Sequence, residues 1–333
     1  MIKSACSILL LSLLFSCVSY DKNENKVSDD SDLANNNVDH QAEMDRVLRN
    51  DSILRAATDG VMSFEKKSVK SKADGLEVPV YIFQPLELKG DQAHPALVWV
   101  YGGIHDNFST NYFPFIKEAV EKGFVVIAPE YRGAKGYGED YYDEFDYGGY
   151  EVDDAISAGE YVRENLSQVD PKRIGIIGWS HGGYITCLAV MRDQNLFARA
   201  VATVPVTNLI FRLSYKGPAY QQTFVAQKRI GSLPHEKRDL YIERSPYYQV
   251  DKLQIPLHIQ YATNDNDVDW EEGQMMADAL KLRKPNLAEV VIYDNPTNGH
   301  YLNRQVNLKT LTRKDDEVQN NSWERIWKFL DQL

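Results

Sequence analysis

Arg173-Ile174-Gly175-Ile176-Ile177-Gly178-Trp179-Ser180-His181-Gly182-Gly183 is the stretch on which the fold of this chain turns. Residues 174–177 read as a short apolar strand, and Gly183-Tyr184-Ile185-Thr186-Cys187-Leu188-Ala189 opens an apolar helix. Between them, Gly178-x-Ser180-x-Gly182 spells a nucleophile elbow, a sharp turn that lifts a serine hydroxyl above the end of a sheet. The positions two before and two after the serine crowd that turn, so glycine is the residue that fits there. The turn also directs the His181 N–H, at a helix N-terminus, into the space where an oxyanion would develop. Ser180 is therefore the candidate nucleophile.

Outward from the elbow, strands are predicted at 64–70, 76–83, 96–101, 124–128, 198–204, 257–261 and 289–293. Helices are predicted at 41–58, 113–122, 150–166, 271–282 and 323–333. Ala73-Asp74-Gly75 joins the first two strands as a hairpin. Short apolar strands alternating with helices imply a mainly parallel sheet covered on both faces, made mixed by the leading hairpin. This order matches the α/β-hydrolase fold, and the elbow falls where that fold places it.

A serine hydroxyl is a weak nucleophile and needs a base, usually a histidine oriented by a carboxylate. In this fold the partners follow the serine in the order acid, then histidine. Of the 7 histidines, His300 in Asn298-Gly299-His300 lies on the loop after the last predicted strand, where the base belongs. His258 lies within a strand and reads as structural. The acid should follow strand 257–261, where Asn264-Asp265-Asn266-Asp267-Val268-Asp269 offers three candidates. Asp265 comes soonest after the strand and is favoured, with Asp267 as the competitor. The alternating acids invite a calcium reading. Trp270 stands where a calcium loop needs glycine and Met276 where it needs glutamate, so no metal is assigned. The pattern asks for no cofactor.

Tyr131-Arg132-Gly133-Ala134-Lys135-Gly136-Tyr137-Gly138-Glu139 resembles the Arg-Gly…Gly-Tyr-Gly signature of the prolyl oligopeptidase family of serine peptidases. Gly178-Trp179-Ser180-His181-Gly182-Gly183-Tyr184, Ser245-Pro246 and Asp265-x-x-Val268 resemble it too, over residues 96–302. The string around Ser180 points to the dipeptidyl-peptidase and acylaminoacyl-peptidase branches. The resemblance implies that the Tyr101 hydroxyl completes an oxyanion hole begun by His181. The backbone N–H groups of Gly102-Gly103 are the alternative second donor. It also implies that Val206 and Leu209 line the first substrate pocket, with Arg212 where an aromatic would grip proline. About 60 residues, leader included, precede the first strand, and no β-propeller is expected in them. Segment 207–248, aromatic-rich and between two strands, reads as a lid-like insert.

The N-terminus carries targeting information. Lys3 and the apolar run over residues 8–15 read as a secretion signal, too short for a membrane span. It ends Leu14-Phe15-Ser16-Cys17, which resembles a bacterial lipobox, with Phe15 in place of the usual small residue. Cys17 is the candidate lipidation site. Residues 1–17 are thus read as a signal peptide, 18–40 as a disordered tether and 41–333 as the catalytic domain. The third cysteine, Cys187, falls in the apolar helix and reads as an inert buried thiol. With 37 Lys and Arg against 48 Asp and Glu, the net charge of −11 argues against nucleic acid as a partner.

Together these features predict an exported serine hydrolase, held at the cell envelope through lipid on Cys17 or else periplasmic or secreted. The expected activity is that of a serine peptidase on small peptides, using Ser180, Asp265 and His300. A carboxylesterase acting on acyl esters, such as polysaccharide substituents, would carry the same fold and residues. A non-catalytic binding lipoprotein is the third reading.

Overall fold

His94-Pro95-Ala96-Leu97-Val98-Trp99-Val100 and Val125-Val126-Ile127-Ala128-Pro129 are buried at every position, which requires cover on both faces of their sheet. A computed structural model describes residues 38–333. The leader, Cys17 and residues 18–37 of the expected tether lie outside the described residues. The main sheet comprises β1 (Ser63–Lys70), β2 (Glu77–Gln84), β3 (His94–Val100), β4 (Val125–Pro129), β5 (Val169–Trp179), β6 (Arg199–Thr203), β7 (Leu257–Ala262) and β8 (Ala288–Tyr293). Their order is β1-β2-β4-β3-β5-β6-β7-β8. β2 pairs antiparallel with β1 and with β4, and every later pairing is parallel. A two-stranded ribbon, β9 (Val306–Asn307) with β10 (Thr312–Arg313), stands apart. This is the expected α/β-hydrolase fold.

The helices are α1 (His40–Thr58), α2 (Phe113–Glu121), α3 (Glu139–Tyr142), α4 (Tyr150–Asn165), α5 (His181–Arg192), α6 (Leu209–Lys216), α7 (Pro218–Ala226), α8 (Arg238–Glu243), α9 (Pro246–Gln249), α10 (Trp270–Arg283) and α11 (Glu317–Leu330). α4 and α5 pack together against one face of the sheet. On the other, Trp323 of α11 stacks on Phe115 of α2 at 4.5 Å and lies 6.1 Å from Trp99 of β3. α11 begins six residues before its predicted start. Its signal is not the apolar face but Asp316, which caps it by accepting from Gln319 N at 2.9 Å.

Segment 207–248 forms α6 to α8 and most of α9, and it is anchored at its root. The Glu272 carboxylate of α10 accepts from Thr207 N and Asn208 N, the latter at 2.9 Å. Ser245 Oγ accepts from Leu209 N at 3.0 Å. The signature segment is clamped in the same way. Arg132 donates to Asp154 at 2.8 and 2.9 Å and to Asp74 of the β1–β2 turn at 2.9 and 3.0 Å. The hairpin, the signature loop and α4 are thereby tied to one buried guanidinium.

Candidate active site

Ser180 lies between β5 and α5 at φ +52°, ψ −118°, a conformation that costs a non-glycine residue on the order of 1–3 kcal/mol. The surroundings hold it there. Ser180 N donates to Thr203 O and Tyr184 N donates to Ser180 O, both at 2.9 Å. The flanking glycines are dictated by contact. A Cβ on Gly178 would lie 2.2 Å from Gly182 O, and one on Gly182 would lie 2.1 Å from Tyr101 O. The N–H of His181 is at the first turn of α5, where backbone donors lack helical partners. Its imidazole is buried, with Nε2 2.8 Å from Glu151 Oε1. Sequence patterning missed Glu151, because Tyr150-Glu151-Val152-Asp153-Asp154 reads only as the start of a helix.

His300 sits in a short 3₁₀ turn after β8. Its Nδ1 lies 2.9 and 2.7 Å from the two carboxylate oxygens of Asp265. Asp265 Oδ1 also accepts from Asp267 N and Val268 N at 2.9 Å, which fixes the carboxylate in the loop. Asp267 lies on the other edge of the imidazole, with Oδ2 3.8 Å from Nε2. Asp269 does neither. It caps α10 by accepting from Glu271 N at 3.1 Å.

Ser180, His181 and His300 line one cleft of about 410 Å³, open mouth included. Val206, Arg212 and Asp267 form part of its wall, and Gly102, Gly103, Tyr301 and Arg304 another. Arg212 is buried rather than a surface residue. Its Nε donates to Tyr220 Oη at 2.9 Å, and Nη1 donates to Tyr215 Oη at 2.9 Å and lies 3.6 Å from Glu272.

Two residues implied by the resemblance lie elsewhere. Leu209 starts α6 with its side chain fully buried in the main core, so it does not line the cleft. Tyr101 is also fully buried and absent from the cleft lining. Its ring stacks on Tyr131 at 4.4 Å, and its hydroxyl is turned toward the buried carboxyl of Glu130 rather than the cleft. Burial, reinforced by Glu130, holds that hydroxyl well above the usual tyrosine pKa. Glu130 is itself buried, which pushes its carboxyl up to about 7 against the opposing effects of Lys66, the Phe108 N–H and the Tyr101 and Tyr137 hydroxyls. Of the two glycine donors, Gly102 N is already bonded to Tyr112 Oη at 3.1 Å, which leaves Gly103.

The remaining titratable candidates are remote from the cleft lining. His258 is buried beneath α11, 5.5 Å from the Phe329 ring, and burial lowers its pKa despite Glu289. Burial pushes the Cys187 thiol up to about 12, as expected of an inert thiol.

This geometry can be set beside known proteins. In sequence, the chain is 26% identical over 234 residues to "Uncharacterized peptidase YuxL" of Bacillus subtilis (strain 168), covering 70% of this chain and 35% of that protein. It is 27% identical over 244 residues to prolyl endopeptidase FAP of Homo sapiens, covering 71% and 30%. The chain thus spans about a third of the length of these relatives. In structure, it is similar to dipeptidyl peptidase 4 of Porphyromonas gingivalis, with TM-score 0.63, 22% identity and coverage of 84% and 37%. It is similar also to an acylaminoacyl peptidase of Pyrococcus horikoshii, with TM-score 0.65, 20% identity and coverage of 85% and 43%. Structural likeness at these identities establishes the fold. The family follows from a sequence model of the prolyl oligopeptidase family, which matches residues 108–332 and takes in the elbow, the acid loop and His300. By that match the chain belongs to the prolyl oligopeptidase family of serine hydrolases.

Proposed function

We propose that this chain is a serine peptidase that cleaves small peptides through an acyl-enzyme. Ser180 Oγ attacks the scissile carbonyl carbon while His300 Nε2 takes its proton. The tetrahedral intermediate collapses, the C–N bond breaks, and His300 returns the proton to the leaving amine. Water then attacks the ester and regenerates Ser180 by the same proton route. Asp265 holds the imidazole in one tautomer and stabilises the imidazolium. The His181 N–H receives the oxyanion, with the Gly103 N–H as the second donor.

One observation carries this reading: a strained Ser180 shares a cleft with His300, whose far nitrogen is held by a loop-fixed Asp265. Peptide substrates are suggested by the relatives named as peptidases. The small cleft suggests short ones.

One feature favours hydrolysis of acyl esters as a second reading. The hydroxyl of Tyr101 is buried away from the cleft, while a glycine pair lines it, as in esterases whose oxyanion hole is backbone N–H. We also propose that the protein is exported and lipidated at Cys17, on the strength of Lys3, the apolar run 8–15 and the lipobox-like ending.

A fluorophosphonate probe tests the enzyme reading. Labelling of the full chain and its loss in Ser180→Ala are expected; no labelling would leave a binding scaffold. Matched panels of p-nitroanilides and p-nitrophenyl esters then separate the two activities. Turnover confined to the esters would overturn the peptidase reading.

A further inference from the structure

Arg304 lies on the loop four residues beyond His300, lines the same cleft as Ser180, and is half-buried. Among the described residues, neither its Nε nor its Nη2 has a hydrogen-bond partner, and both atoms are shielded from water. These two atoms form one edge of the guanidinium, with two parallel N–H bonds that match a carboxylate. The other end, Nη1, lies where Gly102 has no side chain. A Cβ there would sit 3.0 Å from Nη1 and 3.3 Å from Ser180 Cβ. The absent side chain leaves the arginine and the serine facing the same small space.

Other buried arginines differ. Arg132 is paired with Asp154 and Asp74, Arg244 with Asp146, and Arg212 with Glu272. Arg304 has the Tyr301 ring 5.1 Å away and donates toward the Tyr112 hydroxyl, opposing the rise that burial imposes there, but no carboxylate accepts from its Nε and Nη2 edge among the described residues. Asp106 feels Arg304 only after Arg46 and Lys135. Burying donors without partners is destabilising, so a turn of the side chain that brings this edge from its covered position into the cleft beside the nucleophile is favoured by a ligand that supplies the missing acceptor.

We propose that Arg304 receives a carboxylate of the substrate, so that the enzyme prefers substrates with a free acid group close to the scissile bond. The acid is either the terminal carboxylate of the leaving portion or an acidic side chain on the acyl portion. This inference rests on the reading of the Ser180 cleft as hydrolytic.

The test uses the full chain and matched short peptides in two pairs. In one pair the leaving portion ends in a free acid or an amide; in the other the acyl portion carries Glu or Gln. One acid-to-neutral ratio of kcat/KM should be about tenfold or more. It should fall toward one in Arg304→Gln, and the pair that responds identifies the source of the acid. Arg304→Lys keeps the charge but loses the fork, and should keep only part of the preference. Both ratios near one in the wild type would overturn the proposal. So would equal losses on acid and neutral peptides in Arg304→Gln, which would mark a general role at the oxyanion. If Arg304→Gln melts early, Arg304→Lys decides, and an undiminished acid preference there overturns the fork. Calorimetry of the same peptides on Ser180→Ala reads the preference without turnover. Acid-selective binding by a chain that the fluorophosphonate does not label would refute the hydrolase and retain the carboxylate site. Labelling without acid preference would do the reverse.

Discussion

Asp265 and Asp267, two residues apart, stand at opposite nitrogens of the His300 imidazole, at 2.7 Å from Nδ1 and 3.8 Å from Nε2. The division follows from the loop. Asp265 Oδ1 accepts the backbone N–H groups of Asp267 and Val268, so its carboxylate is turned inward and buried. Asp267 is left on the cleft side, with its side chain a third exposed.

Asp265→Asn should therefore lower kcat by roughly 10⁴-fold, as loss of the tautomer-fixing carboxylate does in serine hydrolases. Asp267→Asn should cost far less and act mainly on KM, because its side chain faces the substrate space. Steady-state kinetics of the two variants check this. The reverse ranking would move the orienting acid to Asp267.

Tyr101→Phe should leave turnover within about threefold of wild type, since an oxyanion donor would instead be worth roughly 10²-fold or more. The hydroxyl is buried beside the Glu130 carboxyl and away from the cleft, so the substitution should cost stability, on the order of 1 kcal/mol, rather than turnover. A hundredfold fall in kcat with KM unchanged would return the hydroxyl to the oxyanion.

Glu130→Gln should change how stability depends on pH. Burial raises the folded-state pKa from the ordinary 4.5 to about 7, so between those values the folded chain retains a proton that the unfolded chain has released. The wild type should lose stability as pH rises through that window, by about 3 kcal/mol at most. Denaturant melts at pH 4.5 and 7.5 should show Glu130→Gln lacking that component. Parallel pH curves for the two proteins would contradict it.

Cys17→Ser should release the protein from membranes when it is expressed with its leader in a bacterial host. Fractionation and mass spectrometry of the mature N-terminus check this. A mature terminus at another residue, without acyl chains, would remove the anchor.

Some of this was written locally. Gly178 marks the turn because Gly182 O, four residues on, leaves no room for a Cβ, whereas Gly182 is required by Tyr101 O, which only folding brings against it. The apolar strands and their alternation with helices specify a doubly covered sheet, because a strand buried on both faces has no polar side. Chain order within that fold singles out His300. What the amino-acid order left open is directional. Asp265 and Asp267 look equivalent until the loop closes and its N–H groups turn one carboxylate inward. Tyr101 looks like a donor until Tyr131 covers it, and Leu209 like a pocket residue until the core takes it. Nothing near Arg304 in the chain shows that it lacks an acid, since the partners of Arg132 at Asp154 and Asp74 are 22 and 58 residues away. Short-range sterics and burial periodicity act along the chain and can be read from it. Which way a side chain faces, and which charge goes unpaired, depends on atoms that only folding brings together.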